Sequence, residues 1–440
     1  MKILKFGGTS VGAPERMKQV AQLVAQTPGP RLVVLSALAG TTNALVEISE
    51  ACLRRQNPQE KIEALAQHYQ AFITQLYSQP EGLKKGQQII EEHFQTLRVL
   101  VESEDFSFRD EKMVLAQGEL MSTKFFQAYL EENGQESALL AALRFMKIDE
   151  EGEPMLEYIA IKLSEELTEY PGKSLFVTQG YICLNHLGEI DNLKRGGSDY
   201  SATLIGAAIR AEEVQIWTDI DGMHNADPRF VENTFPVAEL SFEEAAELAY
   251  FGAKILHPSA IHPAQLFNIP VRLLNTLMPE APGTLIYAQS VPAPGIKSIA
   301  AKDGITAIKV KSTRMLMAYG FLRKIFEVFE TYKTPIDMIT TSEVAVSLTI
   351  DDETHLEAIC QELERYGTVE TDTHQSIICI VGNFVSEQKG TPARIFKALE
   401  NIPIRMISFG GSRHNISILV STQDKVNALN LLHQGLFGEN

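Results

Sequence analysis

The sequence is poor in the residues and runs that mark several classes of protein. Its 440 residues include 4 cysteines and 1 tryptophan, and no two cysteines have CxxC spacing. This usage excludes a disulfide framework and a cysteine zinc site, and it favours a reducing cytoplasm. A run of about 18 apolar residues is missing, so we expect no membrane span. No apolar signal segment follows Met1.

Positive charge is also scarce. The sequence has 39 Lys and Arg residues against 56 Asp and Glu residues, which gives a formal net charge of −17. Nucleic acids and anionic membranes attract basic surfaces, so we expect neither as a partner. Phosphate binding stays open, because it needs only a local group of N–H donors and one or two cations.

Length and composition predict a globular protein of two or three domains. The chain is 45% hydrophobic and 22% charged, and its 440 residues exceed one compact core. Four prolines between 279 and 294 predict a domain boundary. Beyond it lies an internal repeat, because 325–326 (IF) recurs at 395–396 and 335–339 (PIDMI) recurs as PIRMI at 403–407. Each copy reads as a βαββαβ unit, and a tandem pair of such units is more typical of small-molecule-sensing modules than of catalysts. A purely structural pairing stays open.

The N-terminus combines a short strand with a glycine turn. Residues 2–6 read as a strand, 7–10 (GGTS) follow, and a helix is predicted from 14 to about 25. This order presents backbone N–H groups to a phosphate. The pattern is not a Walker motif, because Lys5 precedes the glycines. Taken alone, a strand that ends in Gly-Gly is also an ordinary turn.

Two further loops follow predicted strands. Residues 36–43 are small and rich in hydroxyls, and they follow the apolar strand 31–35. Such a loop suits either the lining of a polar pocket or a plain strand-to-helix connection. Thr218 and Asp219 end the strand predicted at 214–218, at the position where open α/β sheets bind ligands.

Helical periodicity dominates two stretches of the N-terminal half. Residues 60–101 read as a helical insertion without chemistry, and a helix over 111–130 carries Gly118 and Glu119 in mid-course. Because glycine costs about 1 kcal/mol relative to alanine inside a helix, Gly118 predicts a close approach to another segment. From the pattern alone, we expect Glu119 to be a solvated surface charge.

A second glycine pair opens the segment 195–201 (RGGSDYS). Two glycines permit a tight turn and close approach to a ligand. Ser198 is predicted as the N-cap of the helix that follows, and the N-terminus of that helix would face an anion. Arg195 adds a planar fork for a carboxylate or phosphate. Alone, the segment is equally an ordinary capped helix.

Together these motifs resemble aspartate kinase (aspartokinase), a member of the amino-acid kinase fold family. The resemblance covers nearly the whole chain. It rests on 5–10 (KFGGTS), the 36–43 loop, 195–199 (RGGSD), 217–219 (WTD), 227–229 (DPR) and 251–254 (FGAK). The repeat resembles the paired ACT domains of that family. Residues 336–343 (IDMITTSE) resemble its lysine-sensitive branch, and we expect the monofunctional form without a homoserine dehydrogenase domain.

The resemblance implies a fold class and domain limits. The expected fold is α/β, with a three-layer αβα kinase domain built on a largely parallel sheet and followed by two ferredoxin-like βαββαβ ACT domains. The kinase domain would cover 1–295, with the helical insertion at 60–101. The first ACT domain would cover 312–382. The second would combine 298–311 with 383–440.

The resemblance also implies an activity. ATP, with Mg²⁺, would phosphorylate the side-chain carboxylate of L-aspartate to 4-phospho-L-aspartate, the first step of lysine, threonine and methionine biosynthesis. Lys5 would contact the transferring phosphoryl group, and Asp199 would hold Lys5 rather than act as a base. The implied substrate-binding residues are Ser36, Thr42, Glu119 (α-ammonium), Arg195 (α-carboxylate), Gly196, Gly197 and Ser198. The implied ATP-binding residues are Lys5, Gly7, Gly8, Thr9, Ser10, Thr218, Asp219, His224, Arg229, Lys254 and Ile255. No residue is assigned to the metal.

The paired ACT repeat implies feedback inhibition by an amino acid, lysine in this branch, and a homodimer formed through the ACT domains. The implied effector-binding residues are Met315, Ala318, Phe321, Leu322, Asp337 and Glu343. Two other functions remain open: a related kinase such as a glutamate-type enzyme, and a non-catalytic amino-acid sensor. The ACT pair speaks against the first. The presence of Lys5, Arg195, Asp199 and Lys254 speaks against the second.

Overall fold

The structure is a computed structural model that describes residues 1–103, 105–193, 196–252, 256–288, 295–312 and 319–438. The chain divides into two compact units. The first comprises Met1–Met223, Ala238–Phe242 and Leu256–Ala288. The second comprises His224–Val237, Glu243–Ile255 and Gln289–Asn440. The domain limits implied by the resemblance stay a prediction.

The first unit alternates strands and helices along the chain. Its strands are β1 (Lys2–Phe6), β2 (Arg31–Leu35), β3 (Ala138–Leu140), β4 (Leu175–Gln179), β5 (Ile182–Leu184), β6 (Ile190–Asn192), β7 (Glu213–Thr218), β8 (Glu239–Ser241), β9 (Val271–Asn275) and β10 (Thr284–Tyr287). Its helices are α1 (Gly8–Val11), α2 (Pro14–Gln26), α3 (Thr41–Leu53), α4 (Gln59–Leu76), α5 (Pro80–Val101), α6 (Phe108–Glu132), α7 (Ala142–Phe145), α8 (Leu156–Thr168), α9 (Gly197–Ile209) and α11 (Pro258–Leu266). Helix α10 (Phe242–Tyr250) begins in this unit and continues in the second.

Strands of the first unit form an eight-stranded sheet in the order β3-β4-β2-β1-β7-β9-β10-β8. Every neighbouring pair is parallel except β9 and β10. Helices cover both faces. Leu4 and Phe6 pack with α2 to α6, whereas Ile3 points to the opposite face, where Gly206 of α9 approaches the sheet. This layering explains why residues 32–35 of β2 form a continuous apolar run.

The second unit contains the internal repeat. Its strands are β11 (Gly295–Lys311), β12 (Ile339–Thr341), β13 (Ala345–Ile350), β14 (Thr368–Asn383), β15 (Met406–Ser408) and β16 (Asn415–Ser421). Its further helices are α12 (Phe321–Thr331), α13 (Leu356–Leu363), α14 (Thr391–Ala398) and α15 (Lys425–Phe437). The described strands form one sheet in the order β12-β13-β11-β14-β16-β15.

The two long strands β11 and β14 are shared between the repeats. Residues 306–311 of β11 pair with β13 of the first repeat, whereas residues 375–381 of β14 pair with β16 of the second. The first half of β11 pairs with the second half of β14, which completes the second βαββαβ unit. The predicted fold class, a largely parallel α/β domain followed by ferredoxin-like repeats, is confirmed. No described helix is both long enough and apolar enough to cross a membrane.

Candidate active site

The candidate site lies where several parallel strands of the first unit end. Lys5 of β1 stands in register with Val34 of β2 and with Ile216 of β7. The segments that follow these strands therefore meet at one edge of the sheet, which is where ligands bind in open α/β folds. The glycine turn after β1 and the hydroxyl-rich loop after β2 are joined directly, because the Ser36 N–H donates to the Phe6 carbonyl over 3.2 Å.

Lys5 and Asp199 form an ion pair at the centre of this edge. Lys5 Nζ lies 2.5 Å from Asp199 Oδ1, and their side chains are 11% and 18% exposed. Lys5 comes from the end of β1 and Asp199 from the first turn of α9, so the fold joins two segments that are far apart in the chain. A partly buried ammonium fixed in this way is preorganised to meet negative charge.

The glycine turn packs tightly around the lysine. A Cβ atom on Gly7 would lie 3.4 Å from Lys5 Nζ, and one on Gly8 would lie 3.0 Å from the Ala37 carbonyl oxygen. The Ser10 N–H donates to the Gly7 carbonyl, and its hydroxyl shares a hydrogen bond with the Thr276 hydroxyl over 2.8 Å. Both of these polar groups of Ser10 therefore form hydrogen bonds within the protein. Gly8 and Thr9 open α1, where N–H groups have no acceptor within the helix.

The second glycine pair turns the chain into α9. Gly196 and Gly197 have φ values of 72° and 47°, a backbone region that side chains disfavour. The predicted N-cap role of Ser198 is wrong. Gly196 is the N-cap and Ser198 lies inside the helix, because the left-handed turn moves the start of the helix before the serine. The Ser198 hydroxyl instead accepts a hydrogen bond from the Ser36 hydroxyl over 2.9 Å.

Glu119 is buried, and the expectation of a solvated surface charge is wrong. Glu119 is only 3% exposed, because α6 packs closely against the loop that follows β2. A Cβ on Gly118 would lie 2.8 Å from Ala37 Cβ. This contact is the close approach that Gly118 predicted. Glu119 Oε1 accepts a hydrogen bond from the Ala37 N–H over 3.2 Å, while Oε2 has no partner among the described residues. Burial raises the pKa of Glu119 to about 7.

Sequence reasoning missed the segment after β4. A Cβ on Gly180 would lie 2.4 Å from Ser198 Cβ, so only glycine lets this strand end pass the serine. Tyr181 has a φ of 67°, and its N–H donates to the Ser201 hydroxyl over 2.8 Å. Burial and the charge of Glu119 raise the pKa of Tyr181 to about 12. A glycine directly after a buried strand was the available signal.

We expect Gly180→Ala to lower stability by about 1–3 kcal/mol, because the added methyl group overpacks the Ser198 contact. Ser198 must move, so binding of the site's ligand should weaken as well. Denaturant unfolding measures the first effect. Gly411→Ala is the control, because a Cβ there meets nothing within 4 Å. Equal stability of the two variants would contradict the assigned contact.

Three further predicted residues of the first unit, Thr42, Thr218 and Asp219, lie at or near the same edge. Thr42 is half-buried in the first turn of α3. The Thr218 hydroxyl donates to Asp219 Oδ1 over 3.1 Å, and the Thr218 carbonyl accepts from the Thr276 N–H over 2.8 Å. Arg195, Lys254 and Ile255 lie outside the described residues.

His224 and Arg229, predicted to bind ATP, belong to the second unit. The His224 ring forms a hydrogen bond with the Thr234 hydroxyl over 2.9 Å. Arg229 and Asp227 form an ion pair of 2.5 Å, which lowers the pKa of the Asp227 carboxyl against the opposing effect of burial. The guanidinium is thus already engaged with a carboxylate two residues away.

The predicted effector residues also belong to the second unit. Phe321 is buried in the core of the first repeat, whereas Leu322 and Glu343 are exposed. The Asp337 side chain is 0% exposed and forms an ion pair with Lys302. Met315 and Ala318 lie outside the described residues.

Comparisons with known proteins agree with this architecture. Residues 1–275 match the model of the amino acid kinase family, and 378–436 match an ACT domain. The lysine-sensitive aspartokinase 3 of Escherichia coli is 34% identical over 99% of this chain and 99% of its own length. The chloroplastic aspartokinase 3 of Arabidopsis thaliana is 35% identical over 99% of this chain and 81% of its own length. A crystal structure of E. coli aspartokinase III in complex with aspartate and ADP matches with a TM-score of 0.87 and 34% identity, covering 99% of this chain and 100% of that one.

The chain therefore belongs to the amino acid kinase family and carries an ACT domain in its C-terminal part. Within that family it belongs to the aspartokinases.

Proposed function

We propose that this protein transfers the γ-phosphoryl group of ATP to the side-chain carboxylate of L-aspartate, giving 4-phospho-L-aspartate and ADP. The relatives named above are aspartokinases, and the matching E. coli structure holds aspartate and ADP. The observation that carries the proposal is the pairing of a fixed cation with a buried acid at one sheet edge. Lys5 is held by Asp199, and Glu119 keeps one oxygen without a partner among the described residues.

Lys5 is the group that meets the transferring phosphoryl. A carboxylate substrate is ionised near pH 7 and needs no general base. Catalysis then consists of positioning and of neutralising charge in a loose transition state. Asp199 keeps the Lys5 ammonium in place over 2.5 Å, and the N–H groups of Gly8 and Thr9 add donors to the same phosphate.

The acid substrate is held by groups of both signs. Glu119 Oε2, which has no partner among the described residues, takes the α-ammonium of aspartate, since a cation beside a buried carboxylate favours its ionised form. The hydroxyls of Ser36, Thr42 and Ser198 hydrogen-bond the substrate, and the Gly196–Gly197 turn lets it approach the backbone. Arg195, which the resemblance assigns to the α-carboxylate, remains part of the proposal.

Thr218 and Asp219 would hold ATP beside Lys5, with Mg²⁺ carried on its phosphates. The described residues contain no group of three His, Cys, Asp or Glu side chains placed to hold a metal ion. Mg²⁺ usually keeps several of its waters and binds through substrate phosphates plus one or two carboxylates. When bound, the ion neutralises phosphate charge during transfer.

An assay of ADP release tests the proposed substrate. We expect turnover with L-aspartate and little with L-glutamate, N-acetylglutamate or UMP, although one methylene is worth only about 1–3 kcal/mol of discrimination. Preferred turnover of glutamate would support the related-kinase alternative. No turnover with any acceptor, together with retained amino-acid binding, would support the sensor alternative.

We further propose feedback inhibition by an amino acid, lysine by analogy with the E. coli relative, through Asp337 of the first repeat. A homodimer formed through the ACT domains and a cytoplasmic location complete this proposal. The repeat has the βαββαβ order typical of sensing modules, and its buried acid suits an ammonium.

Asp337→Ala should leave turnover without effector intact and relieve lysine inhibition, because a coupling of about 1–3 kcal/mol is lost. Inhibition curves measured by ADP release check this expectation. Asp352→Ala, at an exposed position of the same repeat, should keep the normal curve. An unchanged curve for Asp337→Ala would assign the effector to another site.

A further inference from the structure

Tyr250 ends helix α10 and contacts the first regulatory repeat. Its hydroxyl donates to Asp337 Oδ1 over 2.6 Å. We propose that this hydrogen bond ties α10 to Asp337, so that a cationic effector bound at Asp337 acts on α10 through Tyr250. The inference rests on the effector role proposed for Asp337. It assigns to Tyr250, a residue outside the repeat, the role of passing effector binding on to α10.

One carboxylate oxygen of Asp337 accepts two hydrogen bonds, whereas the other accepts none from the described residues. Oδ1 accepts from Tyr250 and also from Lys302 Nζ, which lies 2.9 Å away. The buried Oδ2 has no partner among the described residues. A buried carboxylate oxygen without a donor is costly, so an ammonium gains most at Oδ2. Tyr250 and Lys302 then act as positioning residues, since they fix the carboxylate through Oδ1.

The three side chains form one compact group. Lys302 Nζ lies 4.4 Å from the centroid of the Tyr250 ring and 2.8 Å from Asp351 Oδ2. Burial and the neighbouring carboxylate raise the pKa of the Tyr250 phenol, so the proton stays on the oxygen and the hydroxyl remains a donor. A cation bound at Asp337 therefore weakens the electrostatic attraction of the carboxylate for both the Lys302 ammonium and the Tyr250 hydroxyl.

Helix α10 also contacts other parts of the second unit, so a shift at Tyr250 would affect those contacts. Glu247 lies three residues before Tyr250 and is its neighbour on the helix surface, and Glu244 lies three residues before Glu247. Glu244 forms an ion pair with Lys297 of β11 over 2.8 Å, and Glu247 accepts from the Ser412 hydroxyl over 2.9 Å. The helix follows β8 of the kinase sheet without a break, and its first residue, Phe242, belongs to the first unit.

The second repeat lacks this arrangement. Its counterpart of Asp337 is Arg405, and its counterpart of Lys302 is Asp372, so the ion pair recurs with its charges exchanged. That pair is 3.6 Å long, and its side chains are 56% and 46% exposed, whereas the Asp337 side chain is 0% exposed. An ammonium is therefore recognised at the first repeat, where Tyr250 makes its contact.

Tyr250→Phe tests the link, because it removes the hydroxyl and keeps the ring over Lys302. Tyr287→Phe is the matched control, since it removes a comparable phenol-to-carboxylate bond of 2.8 Å to Glu239. Lysine is titrated into the full-length protein by calorimetry, and inhibition is followed by ADP release. Deuterium uptake over 243–250 is compared with and without lysine.

For Tyr250→Phe we expect turnover without lysine to match the control and the half-inhibiting lysine concentration to rise about tenfold, as loss of one hydrogen bond to a charged group predicts. The lysine-dependent change in uptake over 243–250 should disappear. If lysine binds and inhibits but Tyr250→Phe behaves like Tyr287→Phe, the link is refuted while the proposed function stands. If the protein turns over aspartate but does not bind lysine, the effector role and the link both fail. Calorimetry still tests the link if turnover is absent, because weaker lysine binding by Tyr250→Phe would support it.

Discussion

Lys5→Met should lower kcat by at least about 10²–10³-fold, the cost of removing one preorganised charge from a phosphoryl-transfer site. The methionine keeps most of the volume of the side chain, so the loss should come from the missing ammonium. Asp199 would lose its partner at 2.5 Å, which adds an unpaired carboxylate beside the phosphates. Initial rates with saturating ATP and aspartate measure the effect.

Lys2→Met is the control for this experiment. Lys2 belongs to the same strand, but its ammonium lies 3.9 Å from Glu212, which is an exposed residue. Exposed ion pairs contribute about 0–1 kcal/mol, so the control should keep its kcat. A rate for Lys5→Met close to that of Lys2→Met would remove Lys5 from the mechanism.

Glu119→Gln should raise the KM for aspartate by about 10–100-fold, because a hydrogen bond to a charged group is worth about 1.5–3 kcal/mol. The amide keeps the shape of the carboxylate and can still accept from the Ala37 N–H. Steady-state kinetics with aspartate as the varied substrate measure this change. An unchanged KM would mean that the α-ammonium binds elsewhere.

The raised pKa of Glu119 predicts how aspartate binding depends on pH. Burial raises the pKa of Glu119 to about 7, so the carboxyl is mostly neutral below that pH in the free protein. Only the ionised form binds an ammonium well. The KM for aspartate should therefore rise as pH falls below 7, by up to about tenfold per pH unit. In Glu119→Gln this dependence between pH 6 and 8 should vanish, and its persistence would assign the titration to another group.

The stability of the free protein depends on pH in the opposite direction from aspartate binding. A carboxyl whose pKa is higher in the folded chain than in the unfolded chain binds its proton more tightly when folded. Glu119 therefore favours the folded state of the free protein below pH 7, and this contribution falls as pH rises through 7. Bound aspartate should offset that loss, because its ammonium pairs with the ionised form.

Sequence reasoning succeeded where a local pattern has one structural meaning. The strands predicted at 2–6 and 31–35 are confirmed as β1 and β2, and the apolar run of the second is typical of a strand that is covered on both faces. The internal repeat predicted two βαββαβ units. Gly118 predicted a close approach, since a glycine inside a helix needs a compensating contact.

The remaining errors arose from contacts between distant segments. Nothing near Glu119 in the chain indicates that the loop at Ala37 will cover it, so its burial and its raised pKa could not be predicted. The N-cap prediction for Ser198 failed because the positive φ of Gly196 was not visible in the pattern. Tyr250 gave no local signal at all, since its partner Asp337 lies 87 residues away in the chain.

Trapping of the reaction product with hydroxylamine tests the central claim most directly. An acyl phosphate formed from aspartate and ATP reacts with hydroxylamine to give the hydroxamate, which separates carboxylate phosphorylation from plain ATP hydrolysis. We expect aspartyl hydroxamate in proportion to ADP with the unmodified protein and with Lys2→Met, and almost none with Lys5→Met. Release of ADP without any hydroxamate, or equal hydroxamate from Lys5→Met, would contradict the account.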